Sequence, residues 1–411
     1  MNLKPLSRAV RTARERGFRF MVGSGTTWRG ATGGDSWRGV TGVTARAEVA
    51  DRPVASAAVR TARERGFRFM VGSGTRRRGR SVRAAFSCNG QVRRKVYAIG
   101  CAPSGAGLRP LPVRVFHSDR YAVPLPEGHR FPMEKYRLLR EALLARGVLS
   151  PASLFEAPLV DRTDLERVHT ARYLDAFFGG TLTDAELRRL GFPWSPLLVD
   201  NALASVGGTL AAARAALEDG FGANLAGGTH HAFPDHGEGF CVFNDIAVAI
   251  RALQAEGAIQ RAVVVDLDVH QGNGTAAAFA GDASVFTFSM HGEHNFPFRK
   301  QPSHLDLGLE DGAGDAEYLA LLDAHLPHVL ESARADLLFF QAGVDPLAED
   351  TLGRLSLTHA GLRGRDLRVL GAARERGLPA VLTLGGGYAK PLTPSLEAHV
   401  GTYVAACSLF R

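Results

Sequence analysis

From residue 113 onward the chain alternates short runs that are apolar at every position with longer stretches in which apolar residues recur every three or four places. Runs such as VVVD at 263–266 and LLFF at 337–340 have almost no polar face, as strands covered by helices on both sides require. The pattern predicts strands at 113–116, 262–266, 285–289, 337–341 and 380–384, and helices over 134–145, 196–217, 245–254, 316–332 and 362–376. Strands alternating with helices build a mostly parallel sheet. Residues 111–411 therefore read as a single doubly wound α/β domain with helices on both faces.

The first 110 residues do not share this texture. They carry the segment AVRTARERGFRFMVGSGT twice, letter for letter, at 9–26 and 58–75. Two such units in a Gly/Arg-rich context bury little apolar surface, short of the roughly three that a solenoid needs, so residues 1–110 read as a basic, largely disordered extension. Charge divides the chain at the same place: residues 1–110 hold 23 Lys/Arg against 5 Asp/Glu, and residues 111–411 hold 26 against 36. The net charge of +8 averages these two parts. The cluster Arg76, Arg77, Arg78 and Arg80 leaves three readings for the extension: a polyanion-binding arm, an organelle-targeting peptide, or translated sequence with no selected role. Nucleic-acid contact is expected only through this tail.

Composition elsewhere is that of a globular protein, with 45% hydrophobic and 22% charged residues. No stretch reaches the roughly 18 uninterrupted apolar residues of a bilayer span, so no membrane partner is expected. Cys88, Cys101, Cys241 and Cys407 show no CxxC spacing, which disfavours a disulfide framework and a cysteine zinc site. The expected location is cytoplasmic, with organelle import as the alternative if the Arg-rich N-terminus is a transit peptide.

Candidate chemistry lies in four segments. In AVVVDLDVHQGNG a buried-type strand runs into Asp266, Asp268 and His270, which can converge at the carboxyl end of the strand, where open α/β sheets place ligands. In ADLLFFQAGVDP, Asp345 follows a second strand, with Gly343 leaving room. Asp268, His270 and Asp345 would form a three-ligand site with a position open to water, as a catalytic zinc or similar divalent ion needs. GGTHHAF adds the adjacent pair His230 and His231, able to exchange protons near neutral pH. LGGGY adds Tyr388, whose phenol can donate to a developing oxyanion.

The set GGTHHAF, GFCVFND, DLDVHQGNG, AGVDP and LGGGY, in that order, resembles the histone deacetylase family of the arginase/deacetylase fold, over about residues 113–405. HQGNG, FPMEKYRLL and FPWSPLLVDNALASVGGT resemble the class IV branch and its bacterial relatives. The resemblance implies one Zn2+ per chain on Asp268, His270 and Asp345, His230 and His231 as the catalytic pair, and Tyr388 polarising the carbonyl. It implies that Asp266 hydrogen-bonds the first histidine and, with Ser289, helps hold a structural K+. Asn273 stands where class I enzymes carry a second aspartate, which leaves open which histidine is the working base. Gly239 and Phe240 would line an acyl-lysine tunnel, with Phe296 as the opposing wall. The implied reaction is hydrolysis of an Nε-acyl-lysine on a protein, the alternative substrate being an acetylpolyamine or another small amide.

Overall fold

The computed structural model describes residues 113–410. The basic extension with its duplication lies outside the described residues. Eight strands form one sheet: β1 (Arg114–His117), β2 (Leu154–Glu156), β3 (Phe221–Asn224), β4 (Ala262–Asp266), β5 (Val285–Gly292), β6 (Leu305–Leu309), β7 (Leu337–Gln341) and β8 (Ala380–Thr383). Their order is β2-β1-β3-β8-β7-β4-β5-β6. Every pairing is parallel, so the sheet is wholly rather than mostly parallel.

The period of two in the central strands creates two cores. Val263 and Val265 of β4 and Leu338 and Phe340 of β7 face helices Asp315–Ala333, His359–Glu375 and Thr393–Leu409. Ala262, Val264, Leu337 and Phe339 face helices Pro196–Asp219 and Asp245–Ala255. Each such side chain leaves water completely, a gain of about 1.5–3 kcal/mol for a Val, Leu or Phe. Helix Pro196–Asp219 is long and apolar enough by composition to cross a bilayer, yet half of its residues are buried, and it packs against β3 and helix Asp245–Ala255.

The expected strands at 262–266 and 337–341 match their observed limits, and the other three shift or change length by a few residues. The pattern misses β2, β3 and β6. β2 has only three residues, β3 reads FGAN with a central glycine, and β6 is an edge strand whose alternate residues are partly exposed, so none carries a continuous apolar run. It also misses the C-terminal helix Thr393–Leu409, which buries residues around much of its circumference instead of one stripe.

Two buried side chains fix the carboxyl edge of the sheet. Arg365, with no solvent exposure, donates from Nη1 to Gly343 O (2.5 Å) and Leu267 O (3.2 Å) and from Nη2 to Ala342 O (3.3 Å). Its Nε donates to Asp366 (2.8 Å), whose other oxygen accepts from Thr402 (2.7 Å). The backbone beyond β4 is thereby tied to the backbone beyond β7. His169, also buried, holds the loop at 225–244: its Nδ1 lies 3.1 Å from Phe233 O and its Nε2 accepts from Asn244 N at 3.1 Å. Both ring nitrogens are engaged only in the neutral form with hydrogen on Nδ1.

Arg365→Met should leave Asp366 buried without its cation and cost about 3–5 kcal/mol, read from urea denaturation. Burial pushes the pKa of His169 down to about 4, below its unfolded value of 6.5. The unfolded chain then binds the extra proton first, so this contribution is complete above pH 6.5 and is lost as pH falls towards 4. Denaturation from pH 7 to 5 should show declining stability, with a shallower slope and lower overall stability in His169→Gln.

Candidate active site

The expected site residues come from the carboxyl ends of adjacent central strands: His230 and His231 follow β3, Tyr388 follows β8, Asp345 follows β7, and Asp268 and His270 follow β4. In a parallel sheet these ends share one edge, so residues more than 150 positions apart in the chain meet there. Only Asp266 lies on β4 itself; Asp268 and His270 lie in the turn beyond it. Their convergence is therefore the work of that turn and not of strand alternation.

Asp268, His270 and Asp345 are buried, and each offers one ligand atom within 4.8 Å of the others. His270 Nδ1 stands 3.0 Å from Asp268 Oδ1 and 3.0 Å from Asp345 Oδ2. Backbone donors aim the carboxylates: Gly386 N to Asp268 Oδ2 (2.8 Å), His270 N to Asp268 Oδ1 (3.0 Å) and Val269 N to Asp345 Oδ1 (2.9 Å). Gly343 is needed here, because a Cβ at that position would overlap the Asp268 carboxylate. Burial and the neighbouring charge of Asp268 push the carboxyl pKa of Asp345 up. Burial also opposes ionisation of Asp268, but the His230 and His270 charges outweigh it and hold its pKa well below the usual range. Two carboxylates packed this closely, with an imidazole between them, make a group that could hold a metal ion.

His230 and His231 lie side by side, their ring centroids 4.1 Å apart. His230 Nδ1 is 2.7 Å from Asp266 Oδ2. Burial works against the charged ring, but Asp266 and Asp268 outweigh it and raise His230 to about 9. His231 Nδ1 instead faces Asn273 Oδ1 at 2.7 Å, and Asn273 Nδ2 donates to Glu238 Oε2 at 3.1 Å. The Glu238 contact fixes which end of the amide faces the ring. An amide oxygen only accepts, so His231 carries its hydrogen on Nδ1 and keeps a lone pair on Nε2. Burial, followed by the charges of His230 and His270, pushes His231 well below its ordinary pKa.

The loop bearing this pair is anchored by Asp245 of the GFCVFND segment. Its carboxylate accepts from Thr229 N (2.7 Å), Gly228 N (2.9 Å), Thr229 Oγ1 (2.7 Å) and Thr209 Oγ1 (2.6 Å). Ser289 is aligned with Asp266 across β4 and β5, and its hydroxyl meets His291 Nδ1 at 2.9 Å. Tyr388 is positioned by Asp350, which accepts its backbone N–H at 2.6 Å. Burial, then the charges of Asp345 and Asp268, holds its phenol well above its usual pKa and hence protonated.

The cavity above the site measures about 620 Å³ and is lined by His231, Gly239, Phe240, His270, Phe296 and Tyr388, among others. Phe240 has φ +66°, a conformation that is strained for a bulky residue and often marks functional sites. The phenyl rings of Phe131 and Phe192, 5.3 and 5.5 Å from it, support its ring. Gly239 must be glycine, since a Cβ there would come within 2.8 Å of the His231 ring and 3.0 Å of Phe296. Phe296 packs edge-on to His231, its centroid 4.9 Å away. Gln271 secures the Phe296 loop by bonding both backbone groups of Gln301 and the Asp306 carboxylate.

Sequence reasoning overlooked Lys135, Asp245, Glu238 and Asp350. Lys135 is 1% exposed and donates to Gly385 O at 2.9 Å. Burial lowers its pKa to about 8, with Asp345, Asp268 and Asp350 opposing, so it brings positive charge near these carboxylates at neutral pH. Its position at the start of an amphipathic helix, FPMEKYRLL, gave no sign of this, because lysines there are ordinarily solvated.

Comparison with known proteins identifies the family of the domain. The family model described as the histone deacetylase domain matches residues 129–403. The chain is 48% identical over 296 residues to an uncharacterized protein of Picosynechococcus, covering 72% of this chain and 98% of that one. It is 30% identical over 290 residues to Histone deacetylase 2 of Arabidopsis thaliana, covering 68% and 75%. To a histone deacetylase-like amidohydrolase of Pseudomonas aeruginosa it is 32% identical over 289 residues, covering 66% and 75%. Among solved structures, an HDAC homologue from Aquifex aeolicus matches with a TM-score of 0.60 at 25% identity, over 72% of this chain and 83% of that one. The chain belongs to the histone deacetylase family, and its domain is that of a deacetylase or amidohydrolase.

Proposed function

We propose that the domain is a zinc-dependent lysine deacylase that hydrolyses Nε-acyl-lysine. The observation that carries the reading is a buried Asp268–His270–Asp345 cluster beside two histidines with different partners, at the foot of an aromatic-walled cavity. One imidazole and two carboxylates fit zinc, and the crowding of the carboxylates fits a divalent cation of any kind. Zinc bound there would supply Lewis acidity and lower the pKa of water to about 7.

The remaining work falls to the chain's own groups. Phe240 and Phe296 bracket the methylenes of an extended acyl-lysine by apolar contact. His231, with its Nε2 lone pair held free by the Asn273 contact, takes the proton from the attacking water. His230, held cationic by Asp266, adds positive charge beside the reacting carbonyl, and a proton is returned to the leaving amine from this pair. Tyr388, protonated and facing the cavity, donates to the oxyanion. The family resemblance also implies a K+ at Asp266 and Ser289; their adjacency on neighbouring strands is what supports it. A small space of about 40 Å³ adjoins the ligands, lined by Gly227, Gly228, Cys241 and Gly386 together with Phe240 and Tyr388. Its size supports a short acyl group such as acetyl over a long alkyl chain.

A panel of Nε-acyl-lysine peptides from acetyl to myristoyl, with acetylated polyamines alongside, tests the reading. Zinc-loaded protein should hydrolyse peptides with acetyl preferred, and Asp268→Ala should abolish turnover. Turnover of polyamines alone would replace this reading with that of a small-amide amidohydrolase, and no turnover would overturn both. His231→Ala should lower kcat by roughly 10²–10⁴ and Tyr388→Phe by roughly 10²–10³, measured with circular dichroism unchanged.

A further inference from the structure

The rim of the cavity runs against the charge of the domain around it. Residues 111–411 hold 26 Lys/Arg against 36 Asp/Glu, yet Arg130, Arg188, Arg189 and Arg354 line the mouth. Arg354 meets Asp311 at 3.3 Å. Arg130, Arg188 and Arg189 are exposed, and none takes part in a side-chain hydrogen bond or ion pair with another described residue. Elsewhere on the domain, arginines are commonly matched with acids, as in Arg146–Glu397, Arg114–Asp219 and Arg368–Asp323.

The three unmatched arginines are tied to the tunnel wall itself. Arg188 and Arg189 sit in the last turn of helix Asp184–Leu190. The carbonyl of Arg189 accepts from Gly239 N (3.2 Å), and that of Leu190 from Phe240 N (2.8 Å). His129, next to Arg130, places its Nε2 3.0 Å from Gly191 O. Two segments bearing the three charges are thus fastened to each other and to the residues that flank the lysine tunnel. The anions nearby are already engaged: Glu238 accepts from Asn273, and Asp311 faces Arg354 and His294.

We propose that the preferred substrate is an acyl-lysine peptide with carboxylates flanking the modified residue. This rests on the lysine deacylase reading above. Guanidinium groups recognise carboxylates in a paired, planar geometry, and a cluster of one sign at a cleft mouth concentrates ligands of the opposite sign. The same charges repel peptides rich in Lys and Arg, and acetylated polyamines. The arrangement sits at the mouth and not at the foot of the cavity, so it selects what surrounds the lysine and leaves the acyl group to the inner walls.

The test compares kcat/KM for two acetyl-lysine peptides of equal length, one flanked by Asp and Glu and the other by Lys and Arg, in 20 mM and 500 mM NaCl. The full-length zinc-loaded chain should favour the acidic peptide by about tenfold or more at low salt, through KM, with the ratio contracting towards one at high salt as exposed charges are screened. In Arg188→Glu/Arg189→Glu the preference should invert, an outcome that misfolding, which lowers both substrates together, does not produce. Equal turnover of both peptides, or a preference for the basic one, would overturn this inference and leave lysine deacylation standing. A preference unchanged in the variant would place the selectivity in the basic extension or elsewhere and overturn it as well. Turnover of neither peptide would instead defeat the deacylase reading.

Discussion

Buried negative charge at one edge of the sheet is the constraint around which the structure is arranged. Asp266, Asp268 and Asp345 are all buried within a few residues of the ends of β4 and β7. Isolated carboxylates in such a place would be prohibitively costly. The chain answers with fixed donors and cations: backbone N–H groups of Gly386, Val269 and His270, the His230 ring on Asp266, and the buried charge of Lys135 at the Gly385 carbonyl. Arg365 acts one layer further in, holding the carbonyls of Leu267, Ala342 and Gly343 in place. Asp268 and Asp345 meet around His270, and these three are the residues that could hold a metal ion.

The two histidines show how one backbone turn yields two electrostatic settings. They are neighbours in sequence and nearly in contact, but one meets a carboxylate and the other an amide. The carboxylate keeps His230 charged. The amide, oriented by Glu238, fixes the tautomer of His231 without charging it. With an amide rather than a carboxylate beside His231, the two rings differ in charge, His230 held as a cation and His231 neutral. Arg130, Arg188 and Arg189 form an outer zone of exposed charge at the cavity, apart from the buried cluster.

Much of this was legible in the chain. Nearly continuous apolar runs fixed β4 and β7, because strands buried on both faces are apolar along almost their whole length. The ligands were legible because unusual residues stood directly after those runs: DLDVH after one, AGVD after the other. Phe240 and Gly239 were found through the family resemblance, and the positive φ of Phe240 then supplied a physical reason for their prominence. Short or half-exposed strands such as β2, β3 and β6 left no periodic signal to detect.

The sequence by itself determined the class of fold, the identity of the candidate ligands and the separation of a basic extension from an acidic domain, since each is a property of composition or of local pattern. Only the tertiary structure decided the partners. That Lys135 brings its charge near carboxylates some 130 to 210 residues later in the chain, that Glu238 sets the amide of Asn273, and that Arg130 joins Arg188 and Arg189 at one rim all depend on strand order. Strand order is fixed by the sum of packing over two cores and not by any local segment, so no local pattern could have announced it.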